Sequence, residues 1–188
     1  MKLSFIAELA QGYEGKLDQA LELIRAAKLS NADYAKIQIV YPDELSTKDY
    51  FAYNIYKSLK LTKFEWLKIS NYSKKLNINL ITEIFGEKSL ETAKYINSKF
   101  FKIHPTDINN YNLISKIKKL NPRKIFVGIG GAKKEEIFNN LKSLQNYKVV
   151  LLHGHQTLPT PNEDLNISRI KKLSAELKNL HNNFKFGI

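Results

Sequence analysis

The chain of 188 residues contains no cysteine, one methionine, one tryptophan and only three arginines. Without cysteine it has no disulfide bonds, thiolate metal sites or cysteine nucleophiles. No stretch approaches the roughly 18 consecutive apolar residues that a membrane-spanning helix needs. Glu8 interrupts the N-terminal apolar run too early for a signal peptide. These absences predict a cytoplasmic protein that has no membrane partner.

Arginine is scarce although the chain is basic. Its 27 lysines and three arginines against 18 acidic residues give a formal net charge of +12. A positive net charge of this size is typical of proteins that bind nucleic acid, an anionic membrane surface or an acidic small molecule. Bidentate contacts with bases and phosphates favour arginine, so we expect no nucleic-acid partner. The lysines are spread along helical segments, as is typical of solvated helix faces.

Short apolar runs alternate with longer amphipathic stretches along the whole chain. Seven runs are predicted to be strands: Leu3–Ala7, Tyr34–Val40, Ile78–Thr82, Phe100–His104, Ile125–Ile129, Val149–His153 and Phe184–Ile188. Six stretches are predicted to be helices: Lys16–Lys28, Leu61–Leu76, Lys88–Asn97, Asn110–Leu120, Lys133–Leu144 and Glu163–Leu180. The aromatic-rich segment Tyr41–Lys60 is a long connection that either covers strand ends or packs its rings.

This order of elements predicts an α/β fold with parallel strands joined by crossover helices. An open doubly wound sheet and a TIM-type (β/α)8 barrel both fit. No Gly-x-Gly-x-x-Gly turn follows the first strand, which disfavours the nucleotide-binding open sheet. A complete barrel usually has about 250 residues, so we expect an incomplete one. It would be a single domain over residues 1–188, truncated in strand seven, and its unpaired edge strands predict a homo-oligomer.

Ionisable residues lie in or next to strands that should be buried. Glu8 and Glu83 follow the first and third strands, and Lys36 and Lys102 lie inside the second and fourth. A buried lysine costs several kcal/mol unless it is paired. Two interpretations are open. Both lysines could converge on a small, highly charged anion such as a phosphorylated acid, or they could form ion pairs with the two glutamates.

Two histidines follow the sixth strand. The spacing of His153 and His155 would place both imidazoles on one strand face. Together with Glu8, Asp107 or His104 they could bind a divalent metal. The alternatives are a histidine that hydrogen-bonds a substrate and a histidine with a purely structural role.

Four motifs resemble the N-terminal barrel of sialic acid synthase and of its legionaminate, pseudaminate and spore-coat polysaccharide relatives. Residues 6–15 (IAELAQGYEG) resemble the family's IAEIGQNHNG, and residues 35–38 (AKIQ) resemble its VKFQ. Residues 101–103 (FKI) resemble its YKI. Residues 151–153 and 159–164 (LLH and PTPNED) resemble its LLHC…YPTPxED. The similarity covers essentially the whole chain.

Members of this family condense phosphoenolpyruvate with an N-acetylated hexosamine, assisted by a divalent metal such as manganese or magnesium. The resemblance implies that Lys36 and Lys102 hold the phosphate and carboxylate of phosphoenolpyruvate. It also implies that Asp107 contacts the sugar and that Glu8 acts in acid–base catalysis or contacts the sugar. The remaining substrate contacts that it implies are Gln38, Thr106, His153 and Gln156.

The sequence departs from the family pattern at several positions. The family's Ser-Thr-Pro after strand three is Thr82-Glu83-Ile84 here, which puts a negative charge where a hydroxyl helps to bind phosphate. The chain ends at Gly187-Ile188, before the family's Ser-Asp-His-Thr. We therefore expect the usual metal-binding histidines and the C-terminal antifreeze-like domain to be absent. Three functions remain. The chain is a transferase domain that is incomplete as given, or a non-catalytic truncated barrel that binds a sugar acid or phosphorylated ligand or needs a partner chain. The third is an altered enzyme that uses His153, His155 and Glu8 for a different metal-dependent step, such as aldol cleavage or hydrolysis.

Overall fold

Strands and helices alternate along the chain in the computed structural model, which describes residues 3–155, 157, 159–177 and 184–188. The strands are β1 Ile6–Ala10, β2 Tyr34–Gln38, β3 Asn79–Ile84, β4 Phe100–Ile103, β5 Lys124–Gly128, β6 Val149–Leu152 and β7 Phe184–Gly187. The helices are α1 Leu17–Leu29, α2 Pro42–Leu45, α3 Tyr53–Ser58, α4 Lys63–Lys75, α5 Glu87–Tyr95, α6 Tyr111–Lys119, α7 Lys134–Ser143 and α8 Ser168–Leu177. Two short 3-10 helices cover Pro105–Asp107 and Asn162–Leu165. The chain divides into two units, Met1–Phe101 and Lys102–Ile188.

In the first unit, β1 pairs with β2 and β2 pairs with β3, both in parallel. The connecting helix α1 buries Ala20, Ile24 and Ala27, whose spacing of three and four residues places them on one helix face. Helix α4 starts with a capping box in which Thr62 and Glu65 satisfy each other's backbone N–H groups. Apolar helix faces therefore cover parallel strands, as the alternation predicted.

In the second unit, β5 pairs with β6 and β6 pairs with β7, again in parallel. Helix α6 buries Leu113, Ile114 and Ile117, and α7 buries Ile137 and Leu141. Strand β5 is buried over its last four residues. Such continuous burial is typical of parallel strands covered on both faces.

The seven predicted strands are present among the described residues, but several boundaries differ. Strand β1 begins at Ile6 instead of Leu3, because Leu3 and Phe5 are about two-thirds exposed. Strand β3 runs to Ile84 instead of ending at Thr82. Glu8 and Glu83 consequently lie within strands and not after them.

The prediction of six helices is wrong, because the described residues form eight α-helices. The two additional ones, α2 and α3, lie in the segment taken as a long connection. The Tyr53 hydroxyl of α3 donates to Asp43 Oδ1 of α2 at 2.6 Å. The Glu44 carboxylate accepts from Ser89 N at the start of α5 at 3.2 Å, where the helix dipole favours an anion. Contacts distant in sequence thus stabilise two helices that are too short to form alone. Among the described residues, no helix is long and apolar enough to span a membrane.

The turn before α1 requires glycine at position 15, where the backbone φ is +71°. A Cβ at Gly15 would lie 2.0 Å from the Ser58 carbonyl oxygen, whereas a Cβ at Gly131, with a φ of +74°, would meet nothing within 4 Å. We expect G15A to lower the free energy of unfolding by about 3 kcal/mol. G131A, which adds backbone strain alone, should cost about 1 kcal/mol. Urea denaturation compares the two, and equal losses would contradict the predicted clash.

Candidate functional site

Lys36 is the third residue of β2 and is only 5% exposed. Its ammonium Nζ lies 2.5 Å from Glu83 Oε2 and 2.7 Å from Glu8 Oε2. The strand register produces this grouping, since Glu8 lies opposite Lys36 and Glu83 lies opposite Gln38. One buried cation therefore joins carboxylates from the two strands that flank it.

Gln38 adds a second donor to the same carboxylate. It lies two residues after Lys36, and side chains at that spacing share one face of a strand. Its Nε2 donates to Glu83 Oε2 at 3.0 Å, and its Oε1 accepts from Gln11 Nε2 at 2.8 Å. The hydrogen bond from Gln11 fixes the orientation of the Gln38 amide, because only one end of that amide can accept.

Glu8 is the member of this group that reaches solvent, with 52% of its side chain exposed. Its Oε1 accepts from the backbone N–H of Ala10 at 2.9 Å, while its Oε2 contacts Lys36. Ala10 has a φ of +44°, and the pairing of β1 with β2 shifts between Glu8 and Ala10. A locally irregular strand thus holds an exposed carboxylate in one orientation, as is common at functional sites.

At Lys36 the structure has the ion pairs that the sequence analysis left as one of two interpretations. Glu83 is 1% exposed, so its charge must be compensated within the protein. Glu8 is screened by water and contributes less. Sequence reasoning gave Glu83 no substrate-binding role and overlooked Gln11. The strand register, which brings residues 38 and 83 side by side, is the signal that could have identified Glu83. Gln11 lies beyond the end of β1, and no sequence signal pointed to it.

In the second unit, Lys102 is the third residue of β4 and is 7% exposed. The 3-10 helix that follows β4 carries Thr106 and Asp107. Thr106 Oγ1 lies 2.9 Å from His104 Nδ1, and Asp107 Oδ1 accepts from Asn110 Nδ2 at 3.0 Å. Lys102 thus occupies the same place in its strand as Lys36 does, and polar groups follow directly.

The two histidines after β6 do not share a strand face, which corrects the expectation from their spacing. Strand β6 ends at Leu152, so both lie beyond it. His153 is 6% exposed, its Nε2 lies 2.9 Å from the carbonyl oxygen of Leu165, and its Nδ1 is buried without a hydrogen-bond partner among the described residues. His155 is exposed, and its Nε2 lies 3.8 Å from Asp164 Oδ2. Gln156 lies outside the described residues.

These histidines do not form the donor set of a divalent metal site. In the part of the chain that the structure describes, no group of three or more His, Asp or Glu side chains could hold a metal ion. His153 already uses Nε2 for a carbonyl oxygen, and His155 has a single carboxylate near it. Structural and catalytic sites for zinc-like ions need at least three protein ligands, so no chemistry is assigned to a metal here.

Known proteins place the chain in a family. The sequence profile of the NeuB family matches residues 23–183. The chain belongs to the NeuB family. Pseudaminic acid synthase from Campylobacter jejuni is 32% identical over 193 residues, which cover 93% of this chain and 56% of that protein. A spore coat polysaccharide biosynthesis protein from Bacillus subtilis is 27% identical, covering 90% of this chain and 49% of that protein. The chain spans about half the length of these curated relatives.

A solved structure gives the same answer for the fold of this NeuB family member. The N-acetylneuraminic acid (sialic acid) synthetase from Leptospira borgpetersenii matches with a TM-score of 0.89 and 25% identity. The match covers 100% of this chain and 64% of that chain. The fold is therefore the TIM-barrel-like fold of sialic acid synthases, and the open doubly wound alternative is excluded. The described residues include seven of the eight strands of a complete barrel.

The buried pair of Lys36 and Glu83 makes a prediction for stability. K36M removes the cation beside a buried carboxylate and should lower the free energy of unfolding by about 3 kcal/mol. The matched control is K63M, because Lys63 lies 3.4 Å from Glu91 with both side chains largely exposed. K63M should cost less than about 1 kcal/mol. Chemical denaturation measures both, and a K36M loss as small as that of K63M would refute the buried ion pair.

Tyr13 is linked to the Lys36–Glu83–Gln38 group, because its hydroxyl donates to the carbonyl oxygen of Gln38 at 3.2 Å. Burial raises the pKa of Tyr13 well above its ordinary value. The unfolded chain ionises this tyrosine near pH 10 and the folded chain does not, so stability should fall as the pH rises above about 10. Y13F should unfold about 1 kcal/mol more easily at neutral pH and lose less stability than the wild type in alkali. Thermal melts from pH 7 to 11 compare the two, and parallel pH profiles would contradict the assignment.

Proposed function

We propose that this chain is the substrate-binding part of a transferase that condenses phosphoenolpyruvate with an N-acetylated hexosamine to form a nonulosonic acid. One observation carries the proposal. Lys36 and Lys102, both more than nine-tenths buried, occupy the third positions of β2 and β4 in a member of the NeuB family. Buried ammonium groups near the carboxyl ends of barrel strands are suited to binding an anionic substrate.

The second unit supplies the groups that we assign to the anionic substrate and to part of the sugar. Lys102 would contact the negative charge of phosphoenolpyruvate, and Thr106 would donate a hydroxyl hydrogen bond. Asp107 would accept from a sugar hydroxyl. His153 offers a buried Nδ1 that lacks a partner among the described residues, and Gln156 is a further candidate by resemblance. The related Leptospira synthetase was solved in complex with citrate, a small polyanion.

The first unit supplies Glu8, Lys36 and Gln38. We assign to Glu8 a proton transfer or a sugar hydroxyl, because it combines exposure with a fixed orientation. In the reaction, C3 of phosphoenolpyruvate forms a bond to the aldehyde carbon of the open-chain sugar, and the aldehyde oxygen takes up a proton. Water then adds at C2, and inorganic phosphate leaves from C2. The ammonium groups would stabilise the negative charge that develops on these oxygens.

A second candidate is a domain that binds a sugar acid or a phosphorylated ligand without catalysis. The contacts of Lys36 favour it, because this ammonium is already held by Glu83 and Glu8. An anion that approaches Lys36 must compete with two carboxylates of the protein itself, which weakens transition-state stabilisation at that position.

The proposed activity predicts release of phosphate from phosphoenolpyruvate that depends on N-acetylmannosamine or a related N-acetylated hexosamine, assayed with and without manganese. K102M should lower the rate about a hundredfold, the usual loss when one buried charge-stabilising donor is removed. K142M is the control, because Lys142 is an exposed lysine of the same unit, and it should retain the wild-type rate.

Phosphate release that does not depend on the sugar, or no release at all, would contradict the transferase proposal for this chain. The second candidate would then be tested by the shift in melting temperature that phosphoenolpyruvate or a sugar acid causes, since a ligand that binds the folded state raises it. A ligand-induced shift without turnover supports binding alone, and no shift with any of these ligands contradicts both candidates.

A further inference from the structure

Two donors on β2 meet at a single oxygen atom of Glu83. Lys36 Nζ lies 2.5 Å from Glu83 Oε2, and Gln38 Nε2 lies 3.0 Å from the same atom. Lys36 and Glu83 are almost completely buried. A charged and a neutral donor that converge on one oxygen form the arrangement with which proteins bind an oxygen of a carboxylate or phosphate ligand. Here the oxygen belongs to the protein.

The position of Glu83 near the carboxyl end of β3 is where barrel proteins bind ligands. The residues before Glu83 on that strand, Leu80 to Thr82, are buried and uncharged. Packing of the strand therefore does not require a charged side chain at this position. A carboxylate in such surroundings is tolerated because Lys36 and Gln38 are directed at it. It therefore occupies one donor of each residue and the positive charge of Lys36, which would otherwise be available to an external anion.

We propose that Glu83 is a specificity-determining residue, an internal anion that competes with ligand anions for Lys36 and Gln38. With Glu83 in place, this part of the first unit accepts an uncharged hydrogen-bonding group or a single negative charge in preference to a phosphate dianion. A dianion would gain Lys36 only against the repulsion of Glu83 and of Glu8, which also contacts that ammonium. The inference rests on the proposed function only in requiring an anionic ligand near β2.

The test uses inorganic phosphate as the probe and isothermal titration calorimetry of the 188-residue chain. E83Q keeps the shape of the side chain and removes its charge, so it should bind phosphate about tenfold more tightly than the wild type, the gain expected when one charge-assisted contact becomes available. E22Q is the matched control, because Glu22 is an exposed glutamate of the same unit, paired with Arg25 on α1. E22Q removes the same charge and should leave phosphate affinity unchanged.

The double variant K36M/E83Q shows whether the gain depends on Lys36. Both members of the buried pair are then neutral, a change that proteins often tolerate. The proposal requires the tenfold gain of E83Q to disappear in the double variant. The double variant also controls for the non-specific phosphate binding expected of a chain with a net charge of +12, because it has the same net charge as the wild type.

Three results would overturn the proposal: unchanged or weaker phosphate binding by E83Q, a gain that persists in the double variant, or an equal gain in E22Q. If circular dichroism shows that E83Q does not fold, E8Q replaces it. Glu8 is half exposed, so its replacement should preserve the fold and give a smaller increase of about twofold to threefold, and no increase would overturn the proposal. Phosphate binding is measured without turnover, so its failure leaves the transferase assay standing, and failure of that assay leaves this one unaffected.

Discussion

The ammonium group of Lys36 is the constraint on which the polar arrangement of the first unit depends. A cation in the middle of a buried strand must have counter-charges within reach, and the neighbouring strands supply them from both sides, Glu83 from β3 and Glu8 from β1. Because the parallel register brings these residues together, one cation links three strands at the end where barrels bind ligands. Gln38 and Gln11 extend the group through oriented amides, so that each polar atom of this network helps to fix the next.

The same ion pairs connect the fold with the proposed function. The resemblance to sialic acid synthases assigns Lys36 to an anionic substrate, and membership of the NeuB family supports that class of reaction. In this chain, however, a buried carboxylate of β3 lies beside Lys36, and the charge that would attract a phosphate is partly neutralised by the protein. Lys102, at the equivalent position of β4, is the anion contact that we assign to the second unit.

Much of this could be predicted from the sequence, because alternating apolar runs and amphipathic stretches report burial directly. The parallel α/β fold, the seven strands and the buried state of Lys36 follow from such patterns, whereas the choice of a barrel over an open sheet rested on the absent Gly-x-Gly-x-x-Gly turn and on the family resemblance. Which of the two open interpretations holds at Lys36 does not follow from these patterns, since it depends on how far β3 extends and on which residue of β2 lies opposite Glu83. The hydrophobic pattern also does not show where β6 ends. The prediction that His153 and His155 share a strand face was therefore wrong, because the strand ends at Leu152. Helices α2 and α3 were missed because contacts distant in sequence stabilise them.

The most direct test of this account is the coupling energy between Lys36 and Glu83, obtained from the free energies of unfolding of the wild type, K36M, E83Q and the double variant. Buried charges in direct contact should be strongly non-additive. We predict that the double variant is more stable than the sum of the two single losses implies, by about 2 kcal/mol or more. Single losses that add within about 0.5 kcal/mol would show that the two groups do not interact, and would contradict the internal ion pair from which the rest of the account follows.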